Sequence, residues 1–277
     1  MAEGTAKEYD QSVKAVCQML GLEFEEIPDW SCCGASSGHS TNYKLGHALA
    51  ARNLALAEKM GMDIAVGCPA CFQRLKGTRH EVKRNAILKE EMPKLIGMPY
   101  EAKYDVRHLL DIIYSDIDIE EIRKRVKKTL AGLKLVCYYG CFIVRPPKVV
   151  QFDDLENPQS MDTLMSALGA EVLDWSAKVD CCGGSLSLSK RSIVTRLVAG
   201  IADAARGVGA EAIVTACPLC MTNLDTRQKS ESEKALPTFY FSELMGLAFG
   251  VSEGETKEWF QKHLVSPIAL LASYSLS

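Results

Sequence analysis

The stretch DCCGGSLS, Asp180–Ser187, sets two adjacent cysteines, Cys181 and Cys182, before a glycine, and SCCGASSG, Ser31–Gly38, does the same with Cys32 and Cys33. Each is followed at one fixed distance by a further pair: 34 residues separate Cys33 from Cys68, and 34 separate Cys182 from Cys217. The later pairs read CPAC, ending at Cys71, and CPLC, ending at Cys220. A spacing held over that length marks an internal duplication. The flanks agree. VCQMLGLEFEEIPDWSCCGAS (16–36) aligns with LMSALGAEVLDWSAKVDCCGGS (164–185), MGMDIAVGCPAC (60–71) with VGAEAIVTACPLC (208–220), and YDVRHLLDII (104–113) with TFYFSELMGL (238–247).

Each copy reads as one series of elements. Apolar spacings of three and four predict a helix over 7–20 in the first copy and 160–168 in the second, each closed by a glycine suited to a left-handed C-cap. Alternation predicts short strands over 22–27 and 170–175, which lead to the cysteine pairs. Long helices follow over 43–60 and 191–207, then buried strands over 63–67 and 211–216 that end at the CPxC. Strand, helix, strand in this order favours parallel pairing with a right-handed crossover. The expected fold is therefore α/β: two repeats related by a pseudo-twofold axis, with short parallel sheets and cysteine loops at the C-terminal ends of strands. By repeat, the chain divides into 1–79, a mainly helical connector over 80–132, and 133–277 with a C-terminal helical tail. Within the connector, IEEIRKRVKKTL (119–130) reads as a solvated helix.

Composition narrows the function classes. The 277 residues, 47% apolar and 24% charged, suit a packed globular chain. A net charge of −3 and scattered aromatics at 7% argue against nucleic-acid binding. No apolar run approaches the ~20 residues that span a bilayer, and the start MAEGTAKEYDQS has neither the basic nor the apolar region of an export signal. The expected compartment is the cytoplasm, where eleven clustered cysteines point to metal or redox chemistry rather than to disulfides.

CPxC aims two thiolates at one metal, and its proline removes an N–H that would otherwise need a partner beside the sulfur. Four thiolates per copy would satisfy tetrahedral zinc. Consecutive cysteines reach one small ion poorly, whereas a multi-iron cluster offers separate irons to each, so the vicinal pairs favour iron–sulfur. The second copy adds KLVCYYGCFIVRPP (134–147), in which Cys141, separated from Cys181 by 39 residues, is a candidate fifth ligand. Cys137 and Cys17 read as buried core thiols.

The pattern of Cys, then CCG, then CxxC, together with YYGC, RPP and ENPQSMDTLMSALGAEVLDW (156–175), resembles the CCG-domain family, most closely the B subunit of heterodisulfide reductase. The resemblance covers nearly the whole chain. It implies two noncubane 4Fe-4S clusters, each held by five cysteines, that face one pocket and reductively split a disulfide. Carried over by motif, one cluster would use Cys141, Cys181, Cys182, Cys217 and Cys220, and the other Cys32, Cys33, Cys68 and Cys71. The family's leading cysteine has no counterpart in the first copy. Its spacing projects to just before Met1, so an additional upstream strand ending in Gly-Cys is expected. The implied partners are a small ferredoxin-like subunit and a flavin-bearing subunit, since no nicotinamide or flavin fingerprint is present in this chain.

Several other residues are candidates for contact with a cluster or an anionic substrate: His39, Arg145, Lys190 and Arg191. For each, a solvated surface role is the plainer reading. His108 and Glu243 read as equivalent tail positions whose difference argues against a shared catalytic role. Two other functions stand beside disulfide reduction. One is an electron-transfer subunit of a hydroxyacid or dicarboxylate oxidoreductase; the other is a zinc-stabilised scaffold without turnover.

Overall fold

A computed structural model describes residues 4–35, 38–228 and 235–276. It is α/β, with short parallel strands in two sheets. The first sheet pairs β1 (Ile64–Val66) with β2 (Val106–His108). The second has the order β4-β3-β5-β6, where β3 is Lys134–Tyr138, β4 Glu171–Val172, β5 Ala212–Thr215 and β6 Thr238–Tyr240. In repeat terms β1 answers β5 and β2 answers β6. The registers Val66↔His108 and Thr215↔Tyr240 show the two pairs built alike. All four β5 residues are buried, as expected of a central strand with helices on both faces.

By contacts the chain forms two compact units. One comprises 24–112 and 142–152; the other comprises 1–23, 113–141 and 153–277. Leu54, Ile64, Phe72, Val106 and Val150 belong to the core of the former. Val136, Tyr138, Val194, Val198 and Ile213 belong to the core of the latter. The opening helix, Lys7–Leu20, lies in the latter unit although it begins the first sequence repeat. It packs on the helices Phe241–Phe249 and Glu253–Phe260, with Tyr9 stacked on Tyr240 at 4.3 Å and the Ser12 and Ser242 hydroxyls 2.7 Å apart.

The helices Lys7–Leu20, Tyr43–Met60 and Arg191–Gly207 lie where periodicity predicts them, and Ser160–Ala167 stops one residue short. Two strands differ. Residues 22–27 form no strand, and 170–175 shrinks to β4. β4 has β3 to pair with, at Lys134↔Glu171 and Leu135↔Val172. Among the described residues, 22–27 has no such neighbour, so the alternation of LEFEEI has no ladder to join and Phe24 stays half exposed. The charged helix also ends early, as Ile119–Arg125. Beyond it, Lys127 N and Lys128 N donate to Ala248 O, and Leu130 N to Leu168 O at 2.9 Å, so tertiary partners take the backbone out of the helix. Ile122 and Leu130 are buried, so the segment is not wholly solvated.

Candidate metal centre

A strand ends in each unit just before a proline that opens a helix; β5 is buried throughout, whereas β1, expected to be buried, exposes Ala65. Cys68 follows β1 and caps the helix Pro69–Arg84 with φ −113° and ψ 119°; Cys217 follows β5 and caps Pro218–Arg227 with φ −124° and ψ 117°. Proline at the first helical position is pre-set for the turn and lacks the N–H that would be orphaned there. The first turn then closes identically, Phe72 N to Cys68 O and Met221 N to Cys217 O, each at 2.8 Å. Cys71 and Cys220 sit in these first turns, each the third residue of its helix.

The CCG loops are equally alike. Gly34 N donates to Cys32 Sγ and Gly183 N to Cys181 Sγ, both at 3.4 Å. Both glycines are left-handed, with φ +70° and +76°. A Cβ on Gly34 would meet Leu49 Cδ1 at 2.8 Å, and one on Gly183 would meet Leu197 Cδ1 at 3.1 Å. Leu49 and Leu197 are each the seventh residue of the following long helix, so one close approach of loop to helix is used twice.

Within each unit several of the thiols are in contact. Cys33 Sγ is 2.9 Å from Cys71 Sγ, and Cys71 also bonds Cys68. In the other unit Cys182 Sγ is 3.5 Å from Cys220 Sγ, Cys220 also bonds Cys217, and Cys141 Sγ is 3.8 Å from Cys181 Sγ. None of the eleven cysteines forms a disulfide. Within these pairs the proton is shared unequally. Sharing a hydrogen bond with Cys71, Cys141 and Cys220 holds Cys33, Cys181 and Cys182 below the ordinary thiol range, Cys181 at about 6, while those partners are pushed up.

Around the thiols lies a set of side chains that sequence reasoning missed. Asn53 clamps the first loop, accepting from Ser31 N at 2.9 Å and donating to Ser31 O at 2.7 Å. Asn223 does the same for the second, donating to Cys182 O at 3.0 Å and to Cys182 Sγ at 3.6 Å. Beneath Cys141, Lys178 is 2% exposed and pairs with Asp162 at 2.8 Å; Asp162 accepts from Tyr139 Oη at 2.7 Å, and Lys178 O accepts from Tyr139 N and Gly140 N. Gly140, at φ +68°, passes so near the sulfurs that a Cβ would meet Cys220 Sγ at 3.1 Å. No local pattern announces these partners, because each reaches its loop from a remote element.

Cys17 and Cys137 are core thiols, as the sequence suggests; burial raises both, Cys17 to about 11. His39 receives Arg74 Nη2 at 3.0 Å on its Nε2. Burial lowers Arg74 and the nearby Cys33 thiolate opposes that. Arg145 falls in the unit that holds Cys32, Cys33, Cys68 and Cys71, not in that of Cys141. Lys190 and Arg191 are exposed at the start of the helix Arg191–Gly207. The tail positions need correcting: by strand register His108 answers Tyr240, and Glu243 answers Asp111, each the third residue of its helix. His108 is fully buried and neutral, driven to about 4 by burial, with Cys68 close enough to oppose the shift.

Among the described residues no three His, Cys, Asp or Glu side chains are grouped as a site for a single metal ion. The thiols instead form contacting pairs over glycines that leave room beside the sulfurs. All-thiol donors in pairs, some already inclined to thiolate, fit a polynuclear iron–sulfur group. The thiols able to hold such a group are Cys32, Cys33, Cys68 and Cys71 in one unit, and Cys141, Cys181, Cys182, Cys217 and Cys220 in the other.

Comparison with known proteins gives the same emphasis. The family model of the CCG cysteine-rich domain matches residues 1–76 and 135–225. The 8-methylmenaquinol:fumarate reductase membrane anchor subunit of Wolinella succinogenes is 33% identical, over 90% of this chain and 89% of its own. The B subunit of the ferredoxin:CoB-CoM heterodisulfide reductase of Methanosarcina mazei is 29% identical, over 97% of this chain and 92% of its own. A hypothetical protein from Helicobacter pylori shares the fold, with a TM-score of 0.71 at 12% identity; the match covers 94% of this chain and 49% of that one.

Proposed function

Because the chain belongs to the CCG cysteine-rich family, whose model spans both cysteine repeats, we propose that it is the iron–sulfur subunit of an oxidoreductase complex that reduces a disulfide. Its ligands in this reading are Cys32, Cys33, Cys68 and Cys71 for one 4Fe-4S group and Cys141, Cys181, Cys182, Cys217 and Cys220 for the other, both of the noncubane type. The observation that carries it is the duplicated loop geometry: in two units a CCG backbone N–H and a CPxC helix start hold thiols in contact without a disulfide.

Converting one disulfide to two thiols takes two electrons and two protons. Two one-electron centres, one held by each cysteine set, would supply that pair without releasing a thiyl radical, which would give the duplication a chemical purpose. Iron held by these cysteines would supply a Lewis acid for the departing thiolates. The chain's own part is to hold the sulfurs: Asn53 and Asn223 fix the CCG loops, and Lys178 O fixes the approach to Cys141. The electrons come from partner subunits, one ferredoxin-like and one flavin-bearing in this reading, and the clustered thiols suit a reducing cytoplasm.

The resemblance to the quinol:fumarate reductase subunit favours a second reading, electron transfer between a quinol and a dicarboxylate enzyme. No helix among the described residues is long and apolar enough to cross a membrane. Anaerobic protein reduced with viologen distinguishes the two. Consumption of a disulfide with release of two thiols per two electrons supports disulfide reduction. Reoxidation only when a quinone or a fumarate-reducing partner is added supports the second.

A further inference from the structure

The two CPxC helices place different side chains at one position beside the sulfurs, a difference separate from the absence of a Cys141 counterpart in the first set. The sixth residue of each CPxC helix is Arg74 in the first and Asn223 in the second. Asn223 is fully buried and neutral, and it donates to Cys182 Sγ at 3.6 Å; its Oδ1 is taken by Ser187 Oγ at 2.8 Å and by Arg227 Nε at 3.1 Å. Arg227 also gives Nη2 to Ser187 O at 3.0 Å, so its fork is committed to those two oxygens. Arg74 instead lies within electrostatic reach of Cys33, with a neutral His39 accepting one N–H at 3.0 Å. One sulfur set thus has a formal positive charge where the other has an amide.

The sets also differ in exposure. Cys68 and Cys71 are half-buried, whereas their counterparts Cys217 and Cys220 are buried. Reduction adds negative charge to an iron–sulfur group, so a nearby cation and readier access of water both favour the reduced state. Charge and exposure act in the same sense; the Asn223 hydrogen bond to Cys182 Sγ acts in the opposite one, but it is a neutral contact at 3.6 Å and weaker than a full charge.

We infer that Arg74 and Asn223 set the two centres at different reduction potentials, the centre beside Arg74 being the more positive and filling first. This rests on the iron–sulfur reading above. Arg74 is a positioning and tuning residue that acts through the sulfurs, not a group that touches substrate.

The test is an EPR-monitored redox titration of the anaerobically purified protein, with iron determined on each sample. Wild type gives two midpoints. Arg74→Asn, which makes the helices alike at this position, moves the more positive midpoint towards the other and leaves the second in place; Arg74→Lys, which keeps the charge, restores the gap. Iron-replete Arg74→Asn with both midpoints unmoved, or Arg74→Lys shifting as far as Arg74→Asn, overturns the inference. Should Arg74→Asn lose iron, a salt series on wild type decides. Added salt screens the half-exposed guanidinium and narrows the gap, and a gap indifferent to salt overturns the charge mechanism. Protein without iron fails the underlying reading, whereas two full centres of equal potential fail this inference alone.

Discussion

Lys178 and Asp162 show how much a single buried pair can control. Both are nearly inaccessible, 2.8 Å apart, and tied through Tyr139 to the strand end that presents Cys141. Removing one partner strands a charge in the interior, so we expect Lys178→Met to cost about 3–5 kcal/mol in chemical denaturation and to weaken iron retention at the Cys141 set. The double variant Lys178→Met with Asp162→Leu should recover much of the stability; a double variant as unstable as the single one would contradict the stranded-charge explanation. His263 and Glu243 make a second buried pair, at 2.8 Å, with Glu243 also accepting from Tyr240 N. Burial opposes the imidazolium, but Glu243 outweighs it and raises His263 to about 9 from an ordinary 6.5. The stabilisation is full below pH 6.5 and lost as pH rises through 9, roughly 3 kcal/mol in all. Glu8, raised mainly by burial, acts in the same sense. Urea midpoints between pH 6 and 9.5 should therefore fall steeply in wild type and less so in His263→Gln. None of these pairs is legible in the sequence, since an isolated lysine or histidine gives no sign that a remote segment will bury it.

At the scale of elements, the most legible parts are those whose signals are local. Pro69 and Pro218 mark helix starts, Gly21 supplies the left-handed cap after Leu20, and the long helices keep one apolar stripe. The segment 22–27 reads as a strand and is not one, because alternation expresses only a willingness to pair; a strand exists when a neighbour offers its backbone. Residues 126–130 leave the helix for a related reason, as their amides find carbonyls at Ala248 and Leu168. The helix Arg191–Gly207 allows a direct check of the loop packing. At Gly183, with φ +76°, an alanine methyl would stand 3.1 Å from both Val194 Cγ2 and Leu197 Cδ1, while Gly200 is exposed with nothing within 4 Å. Gly183→Ala should destabilise by about 1–3 kcal/mol, whereas Gly200→Ala should stabilise by about 0.5–1 kcal/mol. Thermal unfolding of the two variants checks this, and equal effects would contradict the close approach.

At the scale of the whole molecule, duplication explains why so much of the site is visible in the sequence. Two copies of one spacing allow each to validate the other, and the paired loops share their hydrogen-bond lengths, 3.4 Å at Gly34 and Gly183 and 2.8 Å at Phe72 and Met221. What duplication hides is divergence. The contact units cut across the sequence repeats, with 1–23 in one unit and 24–112 in the other, and Arg74 and Asn223 differ where the repeats are otherwise alike. The central claim is that each unit holds its own iron–sulfur group. Its most direct test is iron and acid-labile sulfide per chain in the anaerobically purified chain from Met1, in a form extended upstream to the projected Gly-Cys, in Cys32→Ser with Cys33→Ser, and in Cys181→Ser with Cys182→Ser. We expect about eight irons and eight sulfides in the extended form, fewer in the chain from Met1, and a clear further loss of both in either double variant. Zinc in place of iron, or iron unchanged by both double variants, would contradict it.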